Sequence, residues 1–138
     1  MRKIILKGRK VYPGLAEGEA LVTKGALGGM GVFDLKRGVV IELGNELLNK
    51  EVTGKILVFK TGRGSSSWSV WYQVLRFTGK SPKAFIVKEC NPQTALGSVV
   101  LRIPSVTDLD QDPTEVISTG DWVKVDADKG LVEITKKN

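Results

Sequence analysis

Two apolar runs of four residues, Ile56-Leu-Val-Phe59 and Ala84-Phe-Ile-Val87, limit the fold of this chain more than any other feature. Lys55 and Lys60 bracket the first, Lys83 and Lys88 the second. Runs this short without a polar face predict strands covered on both sides. Between them Trp68, Trp71, Tyr72 and Leu75 recur at three- and four-residue spacing, which predicts a helix over Ser67 to Thr78 that Gly79 can end. Strand, helix and strand in this order form a βαβ unit, right-handed and with parallel strands.

The rest of the chain is β-rich. Lys3–Lys7, Gly18–Thr23 and Gly38–Leu43 read as short strands rich in β-branched and aliphatic residues. Gly25 to Gly31 carries four glycines and reads as a loop, and Asp34 to Gly38 as a connection. Asn91 followed by Pro92 predicts a helix start. Pro104 places Ile103–Thr107 at a sheet edge or a strand start. Asp121 to Thr135 predicts a hairpin turning at Asp126-Ala-Asp-Lys-Gly130. With 138 residues and no internal repeat or linker, the expectation is one α/β domain over residues 1–138.

Composition excludes several classes. No run of eighteen apolar residues is present, so no membrane span is predicted, and the apolar stretch near Met1 reads as a strand, too short for a signal peptide. A single cysteine rules out an internal disulfide and leads to the expectation of a cytoplasmic protein. The net charge of +6, with five basic residues in the first ten positions, raises nucleic-acid binding. No recognition motif interleaves aromatics with the basic residues in the manner of RNA-binding sheets, and a solvated basic face is the preferred reading. The absence of histidine excludes a Ser-His-Asp triad, a Cys-His dyad and a His-based zinc site, and one cysteine cannot build a Cys-only zinc site. Any acid or base here is a carboxylate, lysine, tyrosine or activated serine.

The candidate site is the loop Gly62-Arg-Gly-Ser-Ser-Ser67, which leaves a buried strand and enters a helix. Unpaired N–H groups and the dipole at a helix start attract anions. Glycines allow close backbone approach, and Arg63 adds a planar donor fork. The loop matches neither a P-loop nor a dinucleotide fingerprint, and a turn whose serines cap the helix is the plainer alternative. Other features weigh less. Asp126 and Asp128 have part of a calcium loop's pattern but lack its spacing. Cys90 reads as a small packed side chain, and Trp68, Trp71 and Tyr72 as core before stacking platform. Glu17 and Glu19 read as exposed, acid/base candidates only if another chain brings a substrate to them.

Gly62-Arg-Gly-Ser-Ser66, the strand Lys55–Phe59 before it, Asn91-Pro-Gln-Thr-Ala-Leu-Gly97 and Gly18-Glu-Ala-Leu-Val22 together resemble the swivel-domain component of the aconitase X family, in order and spacing over nearly the whole chain. The resemblance is greatest to its free-standing archaeal form. It implies a swivelling β/β/α fold and a heterodimer with a large subunit that holds an iron–sulfur cluster of the 4Fe–4S type, none being bound by this chain. It implies dehydration of a small phosphorylated hydroxy acid, (R)-5-phosphomevalonate, to trans-anhydromevalonate 5-phosphate in an archaeal mevalonate route to isoprenoids. It places the proton acceptor at Ser65, with Gly62, Arg63, Gly64 and Ser66 as substrate-binding surroundings and no metal ligand. Aconitases proper follow the serine pair with an arginine; here that position is Ser67, and Arg63 is the candidate to supply the charge. Two alternatives stay open: the same architecture acting on cis-3-hydroxy-L-proline, and a non-catalytic basic module for anions or nucleic acid.

Overall fold

A computed structural model describes residues 2–137. In chain order the elements are β1 (Lys3–Lys7), β2 (Arg9–Tyr12), β3 (Leu15–Val22), β4 (Phe33–Asp34), β5 (Val39–Val40) and β6 (Ile56–Phe59). Then follow α1 (Trp68–Phe77), β7 (Ala84–Val87), α2 (Pro92–Leu101), β8 (Ser105–Thr107), α3 (Pro113–Val116), β9 (Trp122–Asp126) and β10 (Leu131–Thr135).

Eight strands form one sheet in the order β1-β10-β9-β3-β6-β7-β8-β2, and β4 pairs with β5 in a separate hairpin. The outermost strands, β1 and β2, are joined by Gly8 alone, so the sheet rolls until its two edges meet. A side chain at Gly8 would lie 2.5 Å from the Thr107 carbonyl, so the corner requires glycine. β3 belongs to both halves: Leu15–Glu19 pair antiparallel with β9, and Ala20–Val22 pair parallel with β6.

The buried runs alternate between two cores, as the period of two demands. Ile56 and Val58 of β6, Ala84 and Ile86 of β7, and Ala20 and Val22 of β3 face Val123, Val125, Val132 and Ile134 inside the rolled sheet. Leu57, Phe59, Phe85, Val87 and Leu21 face outward, onto Trp68, Tyr72 and Leu75 of α1 and onto the segment from Leu27 to Val52. This is the β/β/α arrangement that the resemblance implies, with the predicted βαβ unit in β6-α1-β7 and parallel pairing from Ile56↔Ala84 to Phe59↔Val87.

One strand is shorter than predicted. Of Gly38–Leu43 only Val39–Val40 is strand. The Ile41 amide bonds to the Val32 carbonyl, and the chain then turns at Gly44 (φ 81°) and Asn45. Pro104 precedes β8, which is an interior strand between β7 and β2, so it marks a strand start. The C-terminal hairpin pairs Leu131–Thr135 with Trp122–Asp126. The sequence reading did not find β2 or α3.

Candidate active site

The serine loop leaves the C-terminal end of β6 and is fixed from both sides before it enters α1. Leu27 grips it through the backbone: its amide donates to the Thr61 carbonyl (2.8 Å), and the Arg63 amide donates to the Leu27 carbonyl (3.0 Å). The first turn of α2 grips it through side chains. The Gly62 amide donates to Thr94 Oγ1 (3.2 Å), Asn91 Nδ2 donates to the Gly62 carbonyl (2.7 Å), and Gln93 Nε2 donates to the Gly64 carbonyl (3.2 Å). Asn91 Oδ1 meanwhile caps α2 by accepting from the Thr94 amide (3.1 Å). The two glycines do different work. Gly62 makes room, since a Cβ there would lie 2.7 Å from Thr94 Oγ1; Gly64 adopts φ 98° with open space around it.

Behind the loop, Trp68 and Tyr72 are buried and stacked at 3.8 Å. The Trp68 indole donates to the Leu27 carbonyl (2.8 Å), and the Tyr72 hydroxyl donates to the Gly28 carbonyl (3.0 Å). Burial pushes the Tyr72 phenol well above its ordinary 10.0, so it keeps its proton and remains a donor. Trp71 is half-buried.

A cavity of about 170 Å³ opens in front of these elements, walled by Met30, Arg63, Gly64, Ser65 and Ser67 among others. Ser65 is exposed at this opening. Its Oγ lies 2.8 Å from Ser67 Oγ and accepts the Ser67 amide at 3.3 Å. Arg63 pairs with Glu42 at 2.6 Å. The hydrogen bond from Arg63 holds the Glu42 carboxyl below its ordinary 4.5, against the burial that pushes it up. Its guanidinium lies over Gly28, where a Cβ would come within 2.9 Å of Nη1.

Three of the predicted site residues, Arg63, Gly64 and Ser65, thus wall one cavity. Gly62 is buried behind them, and Ser66 is exposed away from the cavity wall. The donor reaching Ser65 differs from the expected one. The Trp68 and Val70 amides of the first helical turn go to the Ser65 and Ser67 carbonyls (3.1 and 2.9 Å), so the amide on Ser65 Oγ is that of Ser67, one residue before the helix. Sequence reasoning gave no site role to Glu42, Gln93 or Thr94, and included Ser67 in the loop without a role of its own. The helix-start pattern at Asn91 was legible, but its aim at the serine loop depends on how two βα connections lie side by side.

The remaining candidates are tied up elsewhere. Burial pushes the Cys90 thiol up, away from a reactive thiolate. Asp126 accepts from the Lys129 amide, and Asp128 accepts from the Gly14 amide. Glu17 is exposed and accepts from the Trp122 indole. In the basic N-terminal stretch, Lys3 pairs with Glu133, Arg9 with Asp108 and Lys10 with Asp128, which leaves less free charge than the sequence total suggests. Among the described residues no group of three or more His, Cys, Asp or Glu side chains could hold a metal ion, and no helix is long and apolar enough to cross a membrane. A larger groove, about 840 Å³, lies at the opposite end of the parallel strands, against Lys83, Arg102 and Lys124.

A rolled β/β/α body with a glycine-serine loop at a helix start defines a swivel-type domain. The chain belongs to the aconitase X swivel domain family, whose model matches residues 5–134. The phosphomevalonate dehydratase small subunit of Methanosarcina acetivorans is 38% identical over 136 residues, 99% of this chain and 94% of that protein. The protein of the same name from Methanocella arvoryzae is 40% identical, over 94% of this chain and 98% of its own. A crystal structure of Thermococcus kodakaraensis aconitase X in its holo form superposes with a TM-score of 0.90 at 38% identity, covering 96% of this chain and 99% of that one. Membership places the chain among hydro-lyase subunits.

Proposed function

We propose that this chain is the small subunit of a heterodimeric dehydratase that converts (R)-5-phosphomevalonate to trans-anhydromevalonate 5-phosphate, with Ser65 as proton acceptor. The observation that carries the reading is the Ser65 hydroxyl, exposed at a cavity mouth and hydrogen-bonded to a neighbouring hydroxyl and amide on a loop held rigid from behind. In the reaction the C–H bond beside the carboxylate breaks, and its electron pair becomes the second bond of the alkene. The proton goes to Ser65 Oγ, and hydroxide leaves from the adjacent carbon. A serine accepts a proton only as an alkoxide, which needs donors aimed at it in a site closed to water. Arg63, beside the same opening, is placed to hold the substrate's carboxylate or phosphate.

The residues here do not fit an iron–sulfur cluster, because one cysteine and no histidine cannot supply its ligands. In this reading the cluster sits on the large subunit, and departure of hydroxide is assigned to no residue of this chain. Two features support a partner at this face. The cavity, about 170 Å³, falls short of the roughly 300–1,000 Å³ of complete ligand sites. Apolar side chains also stand exposed around it: Met30 on its wall is 74% exposed, and Leu43, between Glu42 and Gly44 on the other side of Arg63, is 87% exposed.

The test is reconstitution with the large subunit and assay of water loss from (R)-5-phosphomevalonate. The expected results are no turnover by either chain alone and turnover by the pair. Ser65→Ala should abolish turnover while the complex still forms on gel filtration. Normal activity in that variant would rule out Ser65 as the base. Turnover of cis-3-hydroxy-L-proline in place of the phosphorylated acid would replace the substrate but keep the base.

A further inference from the structure

We propose that Ser67 governs the acidity of Ser65, so that the two hydroxyls act as a pair; this rests on the reading of Ser65 as proton acceptor. The two oxygens lie 2.8 Å apart, and the Ser67 amide also donates to Ser65 Oγ. While both hydroxyls are neutral, either can donate. Once Ser65 is an alkoxide only Ser67 can, and one residue then directs an O–H and an N–H at the same oxygen. Charge-assisted bonds of this kind are about twice as strong as neutral ones, so the pair favours the ionised form of Ser65.

An independent observation shows that the Ser67 hydroxyl has no other task. Ser67 is the N-cap residue of α1, where a serine ordinarily accepts an amide of the first helical turn. It makes no such bond, and its backbone is helical (φ −72°, ψ −3°) where an N-cap is usually extended. The Val70 amide, a usual partner of a capping side chain, goes to the Ser67 carbonyl (2.9 Å). The helix forgoes its cap, and the hydroxyl turns to Ser65.

The charged and titratable groups around this pair leave it a clear part. Arg63 is on the same loop, but Glu42, from the segment after β5, answers its charge at 2.6 Å. Tyr72 of α1 is buried, with its proton committed to the Gly28 carbonyl. Arg63 therefore carries a charge that Glu42 largely offsets, and the side-chain donor bonded to Ser65 Oγ is the Ser67 hydroxyl.

The test uses the assembled two-chain enzyme with Ser67→Ala, Ser67→Thr and Ser65→Ala. Ser67→Ala should lower kcat roughly 100-fold with KM changed less than about threefold, as loss of one oxyanion donor does. The acidic limb of its kcat–pH profile should move up by about one to two units, because each unit is a factor of ten in alkoxide. Ser67→Thr, which keeps the hydroxyl, should recover most of the rate and the original limb. The melting temperature of Ser67→Ala should match wild type, since no cap bond is lost. An unmoved acidic limb, or Ser67→Thr as slow as Ser67→Ala, overturns the inference. If Ser67→Ala is too slow for a profile, recovery by Ser67→Thr decides. A dead Ser65→Ala beside a normal Ser67→Ala removes the pairing alone, whereas an active Ser65→Ala removes the reading beneath it.

Discussion

Gly97 sits inside α2, where glycine is the worst residue for a helix apart from proline. Replacing it with alanine should gain about 1 kcal/mol of helix propensity. The structure gives the opposite sign. A Cβ at Gly97 would lie 2.3 Å from Trp68 Cζ3 and 2.9 Å from Cε3. Carbon pairs rest at about 3.5–4.0 Å, so ring or helix must move by more than an ångström. Trp68 cannot easily give way: its ring is stacked on Tyr72, it is 2% exposed, and its indole N–H is bonded to the Leu27 carbonyl. Overpacking costs about 1–3 kcal/mol, and a strained indole bond adds about 1 kcal/mol. Against the propensity gain the net loss is about 1–3 kcal/mol. Urea unfolding of the chain, followed by tryptophan fluorescence, measures it directly. Because Trp68 opens α1 and carries the Leu27 bond that braces the serine loop, turnover of the assembled enzyme should fall as well. A Gly97→Ala chain as stable as wild type, or more so, would refute the packing argument.

Thr94→Val keeps the shape of a buried side chain but strips the acceptor from the Gly62 amide. It should cost about 1–3 kcal/mol by the same urea measurement and lower kcat, while Thr94→Ser retains both. Asp121 gives a pH prediction. Burial, its largest single influence, pushes its carboxyl up, but bonds from Lys136 and from the Lys137 and Ser118 amides outweigh it and leave it below its ordinary 3.8. A lowered folded value means stability fully present above the unfolded value and lost as pH falls through the folded one. Thermal melts should therefore show Asp121→Asn destabilised at pH 7, by about 3–5 kcal/mol for a pair with one fully buried member, and the gap should close as pH falls below the ordinary 3.8 and through the lower folded value.

The elements legible in the sequence were those whose cause is local. Ile56–Phe59 and Ala84–Val87 are apolar without interruption because each faces a core on both sides, and that was visible as a pattern. Trp68, Tyr72 and Leu75 share a helix face, and Asn91-Pro92 carries its own cap. β2 escaped because Arg9-Lys-Val-Tyr12 has the composition of a solvated stretch; it is strand because Gly8 brings it back against β8. The expected strand at Gly38–Leu43 shrank for the converse reason: Val40 alone enters the core, the Ile41 amide goes to the Val32 carbonyl, and the chain turns at Gly44 and leaves Leu43 exposed. At the site, the glycine-serine loop announced itself, whereas Glu42 and Gln93 lie 21 and 29 residues from their partners. No local pattern encodes such pairings.

In the proposed reading the serine cavity, and not the larger groove, takes the anionic substrate, and the reason is polarity along the fold. α1 and α2 both begin at the end of the parallel strands where the serine loop lies: Ser67 starts the first, and Asn91, bonded to Gly62, starts the second. Neither helix has an acidic residue in its first turn; the positive end of α1 walls the smaller cavity through Ser67 and Trp68, while the first turn of α2 backs the loop through the Gly62 and Gly64 carbonyls. The larger groove adjoins Gly79 and Arg102, where the same helices end and the helix dipole is negative. There Lys83, Arg102 and Lys124 work against an unfavourable backbone field, and Glu17 stands among them. A carboxylate or phosphate gains at the serine end from the dipole of α1, before any side chain is counted. What that end lacks is volume, and volume is the one property a docking partner can add without altering a residue of this chain.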